Sequence, residues 1–211
     1  MRKLGMVTAI VALAAGPLTA QDPIWTPQVP RGSIDYPQGT MVIQNLDALW
    51  TATGEVLENV SIVVRDGIIR EIGADVTVPN GAIVIDGAGL TAIPGLVDEH
   101  SHTAMDRSTN EGSTPISSEV RVLDALDPGS FDIYQALSGG VTSALILHGS
   151  ANPIGGQAAI IKMRWGMDDP EQLLIDGAPQ MIKFALGENV TQKNFGGGSG
   201  PARFPTSRAG V

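Results

Sequence analysis

Ala92-Ile93-Pro94-Gly95-Leu96-Val97-Asp98-Glu99-His100-Ser101-His102 leaves a Pro-Gly turn and runs through an apolar stretch into two histidines one residue apart. Alternate side chains of a β-strand point to the same face. His100 and His102 therefore project together while Ser101 points away, so two imidazoles converge on one divalent ion. Asp98 lies on the same face, one step deeper, where a carboxylate can orient a ligating ring. An HxH pair alone is a weak signal. Here it closes a clear strand, and His148 is the one further histidine of the chain.

The chain contains no cysteine. Thiolate cannot supply a ligand, and imidazole with carboxylate suits zinc and similar divalent ions. A formal charge of -9 argues against nucleic acid, which selects basic patches, and against an anionic membrane surface. Residues 1–20 read as a signal peptide. Arg2 and Lys3 open it, Leu4 to Ala15 is apolar but far short of the ~20 residues that span a bilayer, and Leu18-Thr19-Ala20 is a small-residue cleavage site. The protein is expected to be exported, periplasmic or extracellular.

Residues 21–40, rich in Pro, Gln and Gly, read as an extended arm. Residues 41–92 carry four short β-branched runs: Met41 to Leu49, Val60 to Arg65, Ile68 to Ile72 and Ala82 to Ile85. Asp66-Gly67 between two of them is a two-residue hairpin signal, because both turn positions favour positive φ. These runs are expected to form a small antiparallel β-sandwich domain. From residue 93 strands alternate with helices. Ile93 to His100 is the first strand and Phe131 to Leu137 a helix closed by Gly139-Gly140. Val141 to Leu147 is the second strand, Ala158 to Met163 a β extension, Glu171 to Ile175 a short helix capped by Asp169-Pro170, and Gln180 to Leu186 the third strand. The segment Asn152 to Gln157 reads as a Gly-rich loop.

At this point the chain resembles a known family. Pro94-Gly95-Leu96-Val97-Asp98-Glu99-His100-Ser101-His102 is similar to the opening signature of the amidohydrolase superfamily, whose Pro-Gly-Leu-Ile/Val-Asp-x-His-x-His segment is the first strand of a (β/α)8 barrel. Val60 to Gly73 resembles the β-domain that precedes that barrel, and Ala136 to Ser143 the junction of its first helix with its second strand. Asn152-Pro153-Ile154-Gly155-Gly156-Gln157 and Lys183-Phe184-Ala185-Leu186-Gly187-Glu188-Asn189 are similar to an exported, imidazolonepropionase-like branch. The resemblance implies an α/β fold, with a partial (β/α)8 TIM-type barrel over residues 93–211. A complete barrel takes about 250 residues, so three or four strand–helix units fit, and the chain is expected to be the N-terminal part of a longer protein.

The resemblance also implies the chemistry: a metal-dependent hydrolase of carbon–nitrogen bonds, acting on small linear or cyclic non-peptide amides with one or two zinc ions. Its remaining ligands, two histidines and an aspartate that handles the proton, come from later strands, beyond Val211. Some members use a strand-three glutamate, which Glu188 resembles. Others use a carboxylated lysine on strand four; Lys183 lies too far back in its strand to resemble it. Asn152 and Gln157 are candidates to present amide donors to a substrate, and His148 reads as a loop histidine. The alternatives are an exported dipeptidase of the same superfamily and a non-catalytic secreted module with a vestigial metal site. On this reading the isolated chain is inactive. Export has a direct check: mass spectrometry of the secreted or periplasmic protein should show an N-terminus near Gln21, and an intact Met1 on a cytoplasmic pool would overturn the signal-peptide reading.

Overall fold

The computed structural model describes residues 39–106, 108–191 and 204–211, so the expected signal peptide and all but the last two residues of the expected arm lie outside the described residues. The chain divides into two units, Met1–Leu96 and Val97–Val211. It is a mixed α/β protein with few helices, and no described helix is long and apolar enough to cross a membrane.

In the first unit β1 (Thr40–Trp50), β2 (Val56–Arg65), β3 (Ile68–Gly73), β4 (Ile83–Asp86) and β5 (Thr91–Ala92) form one five-stranded sheet. The β2–β3 hairpin turns through Asp66 at φ 51° and Gly67 at φ 73°, the mirror-image turn that matches strand twist. β1 pairs antiparallel with β2, but β4 and β5 both run parallel to β1. The sheet is therefore mixed, not antiparallel as expected. Its order is β3-β2-β1-β4, with β5 also on β1.

A bulge explains the divided edge. Between the pairs Ile43↔Ile62 and Leu46↔Val60, β1 takes three steps against two on β2. The extra turn of the backbone puts Asn45 at φ 58°, a conformation that Asn tolerates better than most residues. The edge strand follows it by looping out over residues 87–90. Gly87 N–H donates to the Gln44 carbonyl at 2.7 Å, and Gly89 N–H to the Asp47 carboxylate at 2.9 Å. β4 and β5 are thus two halves of one edge, interrupted opposite the bulge. Beneath them Ile43, Leu46, Leu49, Val60, Ile62 and Ala92 form the core of the unit.

In the second unit β6 (Leu96–Ser101), β7 (Val141–Ile146) and β9 (Ala159–Lys162) form a three-stranded sheet in that order, with helix α1 (Phe131–Ser138) between β6 and β7 in the chain. The Ser130 hydroxyl caps α1 by accepting from Asp132 N–H, and Gly140 at φ 90° leaves the helix in the left-handed region. Asp169 forms a capping box with Gln172 over a 3₁₀ turn, Pro170–Leu173, shorter than the expected helix.

The expected β extension is β9, which runs antiparallel to β7. The expected third barrel strand shrinks to β10 (Ile182–Phe184), which pairs antiparallel with β8 (Ile154–Gln157), a strand within the segment read as a loop. Glycine content misled that reading. Gly155 and Gly156 are not loosening the chain; a Cβ on Gly156 would lie 2.7 Å from the Val120 carbonyl, and one on Gly155 2.9 Å from the His148 ring. Glycine serves close approach here.

Gly87 gives a stability test of the first unit. A Cβ there would lie 2.8 Å from Leu46 Cδ2 and 2.9 Å from the Gln44 carbonyl oxygen. Overpacking of this kind costs about 1–3 kcal/mol. Urea denaturation of Gly87→Ala should show a loss in that range, and an unchanged midpoint would contradict the seating of the 87–90 loop on β1.

Candidate functional site

β6 sets the site. It begins at Leu96, because Pro94 and Gly95 delay the strand, and ends at Ser101. Asp98 and His100 share a face while Ser101 is buried opposite, as alternation requires. His102 falls one residue past the strand and still meets its partner, with ring centroids 5.6 Å apart at 84°.

Each imidazole is fixed by a different group. His102 Nδ1 lies 2.8 Å from the Leu147 carbonyl oxygen, just after β7. A carbonyl only accepts, so Nδ1 carries the proton and Nε2 presents its lone pair. His100 Nε2 lies 3.0 Å from Lys183 Nζ on β10. An ammonium only donates, so this Nε2 accepts. Asp98 accepts from the backbone N–H of His100 at 3.1 Å, and so steadies the strand end rather than a ring.

Lys183 is the residue that sequence reasoning set aside. It is 8% exposed, and burial pushes its pKa below the ordinary lysine range. In sequence it is only a lysine between two apolar residues, Ile182-Lys183-Phe184; the structure buries the lysine and exposes both neighbours. Position along the strand had placed it too far back. A short β10, paired with β8 rather than set in a long parallel strand, brings its amine to His100.

The other candidates go elsewhere. Glu188 is exposed at the start of a 3₁₀ turn, Glu188–Val190. Among the described residues no group of three or more His, Cys, Asp or Glu side chains is placed to hold a metal, so Glu188 is not gathered with the histidine pair. Asn152 is fully buried, and its amide nitrogen donates to the Glu111 carbonyl at 2.8 Å and to Ser117 Oγ. Gln157 Nε2 donates to the Ser118 carbonyl at 3.0 Å. Both amide nitrogens tie β8 and the loop before it to the segment 110–118. His148, expected as a loop histidine, is buried there too.

With this geometry in view, comparison with known proteins is informative. No protein-family model matches the chain. It is 36% identical over 148 residues to amidohydrolase tasK of Hapsidospora irregularis, covering 61% of this chain and 15% of the relative. A dihydroorotase of Pelobacter propionicus is 42% identical over 45 residues, 21% of this chain and 11% of the relative. Among solved structures, an amidohydrolase from Thermotoga maritima MSB8 matches with a TM-score of 0.67 and 31% identity, covering 81% of this chain and 44% of that one. The chain belongs to the amidohydrolase superfamily. It spans less than half the length of each of these relatives.

Lys183 yields a pH prediction. The unfolded chain binds the lysine proton more tightly than the folded one, so stability rises with pH between the lowered value and the ordinary lysine value. Below that window the penalty is present in full. Lys183→Met should therefore raise the urea midpoint at neutral pH and flatten its rise on the alkaline side. A midpoint that falls, with the alkaline rise intact, would show that the Lys183–His100 contact outweighs the cost of burial.

Proposed function

We propose that this chain carries the first metal-binding strand of an exported hydrolase of carbon–nitrogen bonds, with His100 and His102 as ligands to a zinc-class ion and a small linear or cyclic non-peptide amide as substrate. One observation carries the reading. His102 is held through Nδ1, its Nε2 has no hydrogen bond among the described residues, and the neighbouring His100 ring, 5.6 Å away between centroids, turns its Nε2 to a cation. Imidazole lone pairs oriented in this way fit a borderline-soft divalent ion. When bound, such an ion supplies Lewis acidity toward a carbonyl and lowers the pKa of water from about 15.7 to about 7.

The chain's own residues do the positioning. Leu147 fixes the His102 tautomer, Asp98 holds the backbone at His100, and Lys183 holds the His100 lone pair until a divalent cation takes it. Lys183 contributes a second way. Its depressed pKa makes the neutral amine more accessible, and a neutral amine adds carbon dioxide to give a carbamate with release of one proton. That would provide an oxygen donor next to two imidazoles, the type of ligand the family resemblance associates with lysine. Two imidazoles are fewer than the three protein ligands and open position of a catalytic zinc site. Metal binding, not turnover, is therefore the test of these residues.

Zinc content after equilibrium dialysis should be close to stoichiometric for the wild-type chain and lost in His100→Ala and His102→Ala. Added bicarbonate should tighten binding in the wild type and leave Lys183→Met unchanged. Retention of the full metal complement by the double histidine variant would rule out the assignment.

A further inference from the structure

His148 has both ring nitrogens committed within a buried slot. The residue is 2% exposed. Nε2 accepts from Glu111 N–H at 2.8 Å, and Nδ1 lies 2.8 Å from the Gly149 carbonyl, to which it must donate. The ring is therefore neutral with its proton on Nδ1. Gly155 and Gly156 form the slot wall: Cβ atoms there would lie 2.9 Å and 3.3 Å from the ring. A histidine so completely used is unsuited to hold a metal.

Its place in the chain gives it another role. Leu147 precedes it, and the peptide joining them is planar. Leu147 N–H donates to the Ser101 carbonyl at 2.9 Å, while the Leu147 carbonyl accepts from His102 Nδ1 at 2.8 Å. The direction of that carbonyl is set by what holds each side of the peptide. Before it stands the pairing with Ser101; after it stands the locked His148 ring.

We infer that His148 is a positioning residue for His102: its wedged ring orients the Leu147–His148 peptide so that the Leu147 carbonyl keeps the His102 proton on Nδ1. This rests on the proposed function only in taking His102 as a metal ligand. The effect on the tautomer is independent of any metal. A carbonyl that turned away would release the proton to either nitrogen, and molecules protonated on Nε2 would offer no lone pair there.

Long-range ¹H–¹⁵N spectra of the metal-free 211-residue chain, labelled at histidine, read the His102 tautomer directly. The wild type should show the Nδ1–H form. His148→Leu should show a mixture at His102 with the thermal melt still cooperative, and its zinc affinity should fall at least about tenfold, the usual effect of losing a group that orients a ligand. His148→Gln, whose side-chain oxygen can accept from Glu111 N–H, should restore the Nδ1–H form. Gly155→Ala, which crowds the ring from the other side, should shift the tautomer in the same direction as His148→Leu and serves if that variant does not fold. An Nε2–H majority in the wild type, or an unshifted tautomer in either folded variant, overturns the inference. A tautomer shift in His148→Leu, with a wild-type chain that binds no zinc, would leave it standing and overturn the metal reading instead.

Discussion

The site depends on a single residue's backbone, that of Leu147. Its N–H pairs with Ser101 and its carbonyl takes the proton of His102. Leu147 is 8% exposed, so neither group can count on water. An orphaned buried carbonyl costs roughly 1–3 kcal/mol, and the imidazole N–H relieves that cost. The same bond that satisfies the backbone fixes which nitrogen of His102 is left bare. Folding and the choice of the His102 tautomer are one event here.

The segment that follows Leu147 is held by a polar lattice. Asn110 Oδ1 accepts from Ala151 N–H, His148 accepts from Glu111 N–H, Asn152 donates to the Glu111 carbonyl, and Gln157 donates to the Ser118 carbonyl. These side chains stand in for the regular pairing that an irregular buried segment lacks. Their donors are engaged internally: the amide nitrogens of Asn152 and Gln157 are spent on the chain's own carbonyls and the Ser117 hydroxyl. Amide side chains in a glycine-rich segment suggest a binding loop when read in sequence. In three dimensions they are the fasteners of that loop.

Local chemistry was legible. The Asp66-Gly67 turn, the Ser130 and Asp169 caps, the Gly140 exit from α1 and the HxH strand end each depend on a few consecutive residues, and each appears close to where the sequence put it. The failures share the opposite property. Parallel pairing of β4 and β5 with β1 depends on a chain crossing that no local pattern specifies. β8 was hidden because its glycines answer to the Val120 carbonyl and the His148 ring, both distant in sequence. Lys183 was set aside because its place was judged by position along an assumed long strand, whereas its amine arrives by the β8–β10 pairing.

The lysine sets the electrostatics beside the histidine pair. Holding an ammonium out of water is unfavourable, and the lowered pKa of Lys183 records that cost. Among the described residues it faces an imidazole lone pair, a neutral acceptor that recovers only part of the lost hydration. A carboxylate would have neutralised it and turned the site into a closed ion pair. The neutral nitrogen of His100 accepts the positive charge without cancelling it, and the His102 ring stands edge-on to His100 with centroids 5.6 Å apart. The contact therefore leaves Lys183 charged and only partly compensated, which is why burial and not pairing sets the direction of its pKa.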